Sequence, residues 1–115
     1  MSTSVMPRPG VGLEAFFDAR SIAVVGASDD STKIGGRPLH LLRKYGFAGA
    51  LYPINPKAGI VQGLPAYASV RDIPQAPDMA LIAVPAASAV EAVRDCAARG
   101  VKAVVVLSAG FAEAG

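Results

Sequence analysis

The sequence predicts an α/β fold, in which an open, Rossmann-like, doubly wound parallel sheet forms the centre of the domain. Short runs rich in Val, Ile and Ala recur along the 115 residues, and helical patterns alternate with them. The runs are apolar throughout, which is typical of strands that a parallel sheet buries on both faces. Parallel strands also need long crossover connections, and the intervening segments are long enough to supply right-handed ones.

The first half of the chain supplies two strands and one helix. Strand one is predicted at Ser21–Val25 and strand two at Ala50–Ile54. Between them, Arg37–Tyr45 is predicted as a helix, with Pro38 in its first turn and Gly46 ending it. Before strand one, a short segment has apolar residues at helical spacing and is expected to pack over a sheet edge: Leu13, Phe16 and Phe17.

The second half begins with an irregular stretch. A short strand is expected near residues 60–61 and a helical turn near residues 69–72. Strand three is predicted at Met79–Val84 and strand four at Ala103–Leu107.

Between strands three and four, Ser88 and Glu91 have the spacing of a capping box, which predicts a helix beginning there and ending at Gly100. Its predicted apolar stripe comprises Ala89, Val90, Val93, Cys96 and Ala97.

Composition excludes several classes of protein. A net charge of +2, dispersed along the chain, predicts no nucleic-acid-binding face. A single cysteine excludes an internal disulfide framework or a Cys-rich metal site. No leader-like segment opens the sequence and no apolar run approaches the ~18 residues of a membrane span, so we expect no membrane partner and a cytoplasmic location.

We expect residues 1–11 to be a disordered lead-in and residues 12–115 to form one domain. The chain ends soon after strand four, so the predicted fold is interrupted there and is expected to be truncated.

Ligands of such sheets bind beyond the carboxyl ends of the strands. Four loops with small, turn-forming or hydroxyl residues are predicted there: Gly26–Ser28, Asn55–Lys57, Val84–Ala86 and Ser108–Gly110. The first loop supplies phosphate chemistry, through unpaired amides expected near residues 34–36 at the start of the helix. The Ser28 hydroxyl and the Lys33 ammonium group add to it, together with Lys57 on the second loop and Arg37.

The residues disfavour NAD as the ligand. The first loop lacks G-x-G-x-x-G, and strand two is followed by Asn55-Pro56-Lys57 rather than by the acidic residue that binds the ribose. A lysine there is compatible with the extra phosphate of NADP or of coenzyme A (CoA). The missing glycine pattern favours CoA.

Several segments, taken in order, resemble the N-terminal CoA-binding domain of NDP-forming acyl-CoA synthetases. They are "SIAVVGASDDSTKIGGRPL", "GALYPINPKAG", "VQGLPAYASVRDIP", "DMALIAVPA" and "GVKAVVVLSAGFAE". The similarity runs from about Leu13 to the last residue, so it implies that residues 12–115 are a CoA-binding domain. The alpha subunit of succinyl-CoA synthetase is a more distant relative, and it carries an acidic residue where Ala109 stands.

The resemblance implies a role for each loop. The diphosphate loop would be Gly26, Ala27, Ser28, Lys33, Ile34 and Gly35. The ADP portion of CoA would meet Asn55, Pro56 and Lys57, with Lys57 near phosphate. The wall of the nucleotide site would be Val84, Pro85 and Ala86, and the channel toward the pantetheine arm Ser108, Ala109 and Gly110.

For the parent protein, the resemblance implies the reaction acid + CoA + ATP ⇌ acyl-CoA + ADP + phosphate (or the GTP equivalent), through an acyl-phosphate and a phosphohistidine. The phosphorylated histidine and the ATP-grasp unit would belong to downstream subdomains, in the same or a partner chain. His40 is predicted to be a surface or contact residue and Cys96 a packing residue, while Asp29 and Asp30 are expected to be solvated loop charges.

Three alternatives stay open. The chain could be the CoA-binding regulatory segment of a fused protein lysine acetyltransferase, or a stand-alone CoA-binding protein. It could also be half of an NADP-dependent oxidoreductase, which would need a glycine-rich turn that the first loop lacks.

Overall fold

A four-stranded parallel sheet forms the centre of the protein. The computed structural model describes residues 19–107. In chain order the strands are β1 (Ser21–Val25), β2 (Ala50–Ile54), β3 (Ile60–Val61), β4 (Leu64–Pro65), β5 (Met79–Ile82) and β6 (Ala103–Val106). The main sheet has the order β2-β1-β5-β6 with every pair parallel, which confirms the predicted fold class.

Burial explains why these runs form the sheet. Ile22, Ala23 and Val24 in β1 are fully buried, and so is every residue of β5, because both strands lie in the middle. Pro53 lies in β2, where its carbonyl accepts a hydrogen bond from the Tyr67 amide at 2.9 Å. Its missing N–H therefore lies on the side of β2 away from β1, where a proline interrupts no bond of the main sheet.

Two helices cover opposite faces of the sheet. Helix α1 (Arg37–Lys44) contributes Leu39 to the core that contains Ile22 and Val24. Helix α2 (Ala86–Arg99) contributes Cys96 to the core on the Ala23 face. The alternation of Ile22, Ala23 and Val24 between these two cores shows that β1 separates them, as in a doubly wound domain.

The predicted start of α2 was wrong. The helix begins at Ala86, and its N-cap is Pro85 without a side-chain cap bond. Ser88 lies inside the first turn, where its amide donates to the Pro85 carbonyl at 2.8 Å, so its hydroxyl does not act as an N-cap.

The predicted apolar stripe of α2 was wrong at two positions. Val90 is 59% exposed and Ala97 is exposed, whereas Ala89, Val93 and Cys96 pack against the core. The three packed residues follow an i, i+4, i+7 spacing. Val90 and Ala97 lie next to this row on one side and are exposed, whereas Ala92 lies on its other side and packs against the core.

The remaining boundaries lie close to those predicted. Helix α1 ends one residue early, with Tyr45 as its C-cap; β5 ends at Ile82 rather than Val84, and β6 at Val106 rather than Leu107. In the irregular region, β3 is confirmed and pairs antiparallel with β4, which was not predicted. The helical turn is a 3-10 helix, Val70–Asp72, that follows Ser69.

Two sets of expectations concern residues outside the described range. These are the lead-in and the apolar segment over residues 1–18, and the fourth loop, Ser108–Gly110. Within residues 19–107, no helix has the length and apolar character required to cross a bilayer.

Candidate functional site

The chain reverses its direction of winding between β1 and β5, and sheets of this type bind ligands at such a switch point. The space bordered by the loops that follow β1, β2 and β5 is called the switch-point crevice below. Gly26 ends β1 there, with φ +86°. A Cβ at this position would lie 2.6 Å from the Ala83 carbonyl oxygen and 2.8 Å from Val84 Cγ1. The first and third loops therefore touch at a point where only glycine fits.

The segment from 26 to 36, called the β1–α1 loop below, folds back on itself. Gly26 and Ala27 donate their amides to the Ile54 carbonyl at 3.0 and 3.1 Å, and the Ser28 amide donates to the Gly35 carbonyl at 3.3 Å. A Cβ on Gly35 would collide with the carbonyl of Gly26. The two limbs of the loop thus lie in backbone contact.

Side chains of the loop cap its own turns. Ser28 Oγ accepts from the Asp30 amide at 3.1 Å, and Asp30 Oδ1 accepts from the Thr32 amide at 2.9 Å and the Thr32 hydroxyl at 2.6 Å. The bonds from Thr32, with a smaller contribution from the charge of Lys33, lower the pKa of Asp30. Asp29 and Asp30 are exposed as expected, but each also holds the backbone in place, which the sequence analysis missed.

The expectation of unpaired amides near residues 34–36 was partly wrong. The Gly36 amide donates to the Lys33 carbonyl at 3.0 Å, because the chain tightens into a turn before α1. Within residues 19–107 the amides of Ile34 and Gly35 have no intramolecular acceptor. These two N–H groups are the donors that an anion could meet at the start of α1.

The second loop is tied to the first by Asn55. Its Nδ2 donates to the Ala27 carbonyl at 3.0 Å, and its Oδ1 accepts from the Lys57 amide at 2.8 Å. Asn55 is half-buried, whereas Pro56 and Lys57 are exposed. The structure therefore gives Asn55 a part in shaping the crevice and leaves Lys57 as an exposed cation on its rim.

The third loop leads directly into α2. Val84 is half-buried against Gly26, Pro85 is the N-cap of α2 and Ala86 is its first residue. The N-termini of both helices thus follow strands at the carboxyl edge of the sheet, where their dipoles favour an anion. Lys33 and Lys57 add positive charge to the same edge.

Gln62 is the residue that the sequence analysis missed. It occupies the turn between β3 and β4, and its side-chain Nε2 donates to the carbonyls of Ser28 and Gly36, both at 2.9 Å. A glutamine far along the chain gives no sequence signal of such a contact. The hairpin that brings Gln62 to the loop was not predicted either, because its second strand, β4, has only two residues and one of them is proline.

An apolar groove of about 760 Å³ runs along α1. Of the residues that the sequence predicts for phosphate binding within the described range, Ile34 and Arg37 line it. Its other walls include Pro38, Leu41, Tyr45, Phe47, Leu81 and Leu107. The groove therefore meets the candidate phosphate site only at the start of α1.

Cys96 and His40 have the surroundings that the sequence predicts for them. Cys96 is fully buried, which confirms its packing role; burial, followed by the charge of Asp95, raises the pKa of its thiol to about 11. His40 is exposed on α1, in agreement with its predicted surface position. In the part of the chain that the structure describes, no three His, Cys, Asp or Glu residues are grouped to hold a metal ion.

The fold is a Rossmann-like α/β domain, and the loops that follow β1, β2 and β5 meet at its switch point, where such sheets bind ligands. A family model described as "CoA binding domain" matches residues 20–114. The chain belongs to this family, and coenzyme A is its ligand.

Three proteins illustrate the similarity. The chain is 43% identical over 103 residues to the alpha subunit of acetate–CoA ligase (ADP-forming) II of Pyrococcus furiosus, covering 90% of this chain and 22% of that protein. Its structure is similar to that of the dinucleotide forming acetyl-coenzyme A synthetase 1 of Ca. Korarchaeum cryptofilum in complex with phosphate and ADP. The TM-score is 0.79 at 47% identity, over 90% of this chain and 22% of that one.

A conserved hypothetical protein of Pyrococcus furiosus also shares the fold, with a TM-score of 0.69 and 31% identity over 76% of this chain and 74% of that one. The chain thus spans about a fifth of the length of the two synthetases and most of the length of the small protein.

Proposed function

We propose that this domain supplies the CoA site of an NDP-forming acyl-CoA synthetase, in which acid, CoA and ATP give acyl-CoA, ADP and phosphate. The synthetases to which it is similar support this assignment. Since the chain spans about a fifth of their length, activation of the acid and phosphorylation of a histidine would belong to other subdomains of the parent, in the same or a partner chain. The location proposed for the parent protein is the cytoplasm.

The closed β1–α1 loop at the switch point carries the assignment of the site. In this proposal the diphosphate of CoA lies at that loop, with Ser28, Lys33 and the amides of Ile34 and Gly35 as donors. The close packing of Gly26 and Gly35 brings the backbone near the ligand.

The other loops complete the site. Lys57 meets the 3′-phosphate of the ribose, Asn55 and Pro56 border the ADP portion, and Val84, Pro85 and Ala86 form its wall. Ser108, Ala109 and Gly110, outside the described residues, would lead to the pantetheine arm.

Calorimetric titration with CoA, dephospho-CoA, NADP and NAD tests the proposal. CoA is expected to bind most tightly of the four ligands. The Lys57→Ala substitution is expected to weaken the binding of CoA by about tenfold, the size expected for one charge-assisted phosphate contact. Dephospho-CoA, which lacks the 3′-phosphate, should bind the variant and the unmodified protein equally. Lys102→Ala is the matched control, because Lys102 is exposed and precedes β6 at the opposite edge of the sheet. Tighter binding of NADP than of CoA would contradict the proposal and favour an oxidoreductase.

A stand-alone CoA-binding protein is a second candidate function. It is favoured by the small hypothetical protein, of which this chain covers 74%. The length of the natural gene product decides between the two. A product of this domain alone supports the stand-alone protein, and a fused synthetase region supports the synthetase. An acetyltransferase region in the same product would instead support a regulatory segment.

A further inference from the structure

The turn between β3 and β4 has an unusual residue for its backbone geometry. Gln62 and Gly63 connect the paired residues Val61 and Leu64, and both have positive φ, +51° and +80°. Two-residue hairpin turns with this geometry favour glycine, asparagine or aspartate at both positions. Gln62 is the single non-glycine residue with positive φ in the described part of the chain, so a long side chain is held in a strained conformation.

The contacts of Gln62 account for this conformation. Both hydrogens of its side-chain amide are used, one toward the Ser28 carbonyl and one toward the Gly36 carbonyl. Its backbone amide donates to Asp29 Oδ1 at 2.6 Å, and its carbonyl accepts from the Arg43 guanidinium group of α1. Ser28 lies in the entering limb of the β1–α1 loop and Gly36 in the leaving limb, so one side chain fastens both.

We propose that Gln62 is the positioning residue that holds the β1–α1 loop ready for the diphosphate of CoA before the ligand arrives. The inference rests on the proposed function, since it takes that loop to be the diphosphate site. A loop that is already ordered loses less conformational entropy on binding, and the affinity rises accordingly. Gln62 itself uses both its amide hydrogens on the loop, so it acts through the loop rather than on CoA.

The variant Gln62→Gly isolates the effect. It removes both side-chain bonds and leaves a residue that adopts positive φ without strain, so the turn itself is preserved. Gln62→Glu is the second variant: its shape is nearly unchanged, but a carboxylate cannot donate to the two carbonyls and lies near Asp29. Gln75→Gly is the matched control, because Gln75 is exposed in the loop before β5.

Two measurements test the proposal. Calorimetry is expected to show CoA and dephospho-CoA both binding Gln62→Gly about tenfold more weakly, by the same factor, because the diphosphate is common to both ligands. This pattern differs from that of Lys57→Ala, which should affect CoA alone. Thermal unfolding should show Gln62→Gly still folded at the titration temperature, since relief of the positive-φ strain offsets part of the lost bonding. Gln75→Gly should bind both ligands normally.

The second measurement is amide hydrogen exchange of the free protein over residues 27–36. Exchange is expected to become faster in both Gln62 variants and to stay unchanged in Gln75→Gly. Unchanged exchange in this loop, or unchanged affinity for both ligands, overturns the proposal. If the unmodified protein binds no CoA, the proposed function fails; faster exchange in the variants would then show only that Gln62 orders the β1–α1 loop, and its role toward CoA would fall with the function.

Discussion

The effect of replacing a glycine of this chain by a larger residue depends on the atoms that surround it. Gly35 is buried, and a Cβ there would collide with the Gly26 carbonyl, which is part of the backbone and cannot rotate away. Gly59 is exposed, and a Cβ there would meet nothing within 4 Å. The two positions therefore form a natural pair for substitution by alanine.

Gly35→Ala is expected to lower the free energy of unfolding by about 2–3 kcal/mol, a cost typical of overpacking. It should also weaken CoA binding by more than tenfold, because the two limbs of the β1–α1 loop must separate. Urea unfolding and calorimetric titration check these values. Gly59→Ala should change the free energy of unfolding by less than about 1 kcal/mol, in the stabilising direction, since the unfolded chain loses freedom. Equal stability of the two variants would show that the loop is not closed as described.

Cys96 connects burial with pH dependence. Burial and the nearby charge of Asp95 raise the pKa of its thiol in the folded protein from 9.0 to about 11. The folded state thus holds its proton more tightly than the unfolded state does. The stability that this provides is complete below pH ~9 and is lost as the pH rises toward 11.

The difference in unfolding free energy between the unmodified protein and Cys96→Ala should therefore shrink as the pH rises from 8 to 11. Urea unfolding across this range measures the difference. Comparison with the variant removes the contribution of lysine and tyrosine titration. A difference that is constant with pH would contradict the raised pKa.

At the scale of elements, a local sequence rule predicts the end of helix α2 but not its start. Gly100 ends the helix with φ +88°, and the Val101 amide donates to the Cys96 carbonyl at 3.0 Å. This is the left-handed C-terminal cap that the sequence predicts from glycine alone. The start was mispredicted because Pro85 begins the helix before the capping-box residues are reached.

Gly100→Ala is expected to cost about 1 kcal/mol and to lower the melting temperature by ~4–8 °C, because alanine is strained at positive φ. No atom lies within 4 Å of the added Cβ, so the cost belongs to the backbone alone. Gly100→Asn should lose less than Gly100→Ala, since asparagine tolerates this conformation better. Thermal unfolding followed by circular dichroism provides the comparison. A larger loss for asparagine would point to a side-chain clash instead.

Sequence reasoning succeeded where local pattern decides the structure. Strands β1 and β2 have their predicted bounds, because each is a continuous apolar run that ends at turn-forming residues, Gly26 after β1 and Asn55-Pro56 after β2. The loops after β1, β2 and β5 also lie at one edge of the sheet as predicted, since parallel strands place their carboxyl ends together.

The hydrogen bonds that shape those loops could not be predicted. Gln62 lies 34 residues beyond Ser28, and its contact depends on the packing of a hairpin whose second strand has two residues. The same holds for Asn55, predicted to border the ligand, whose side chain binds the Ala27 carbonyl 28 residues away. Long-range pairing of this kind leaves no periodic signal in the sequence.

At the scale of the whole molecule, the switch-point crevice lies where the two cores meet the same strand. Ile22 and Val24 of β1 belong to one core and Ala23 to the other, and Gly26 ends this strand. A ligand held by the loops after β1, β2 and β5 would therefore stabilise both sides of the sheet together. Binding and global unfolding should be coupled.

CoA at about 100 times its dissociation constant is expected to stabilise the folded state by ~2.7 kcal/mol and to raise the melting temperature by ~10–20 °C in one transition. NAD at the same concentration should have little effect, and Lys57→Ala should need about tenfold more CoA for the same shift, whereas Lys102→Ala should not. Differential scanning calorimetry at several CoA concentrations measures both the shift and the number of transitions. A second transition whose temperature does not change with CoA would show that the two cores unfold separately. The site would then lie on one side of the sheet rather than where the two cores meet.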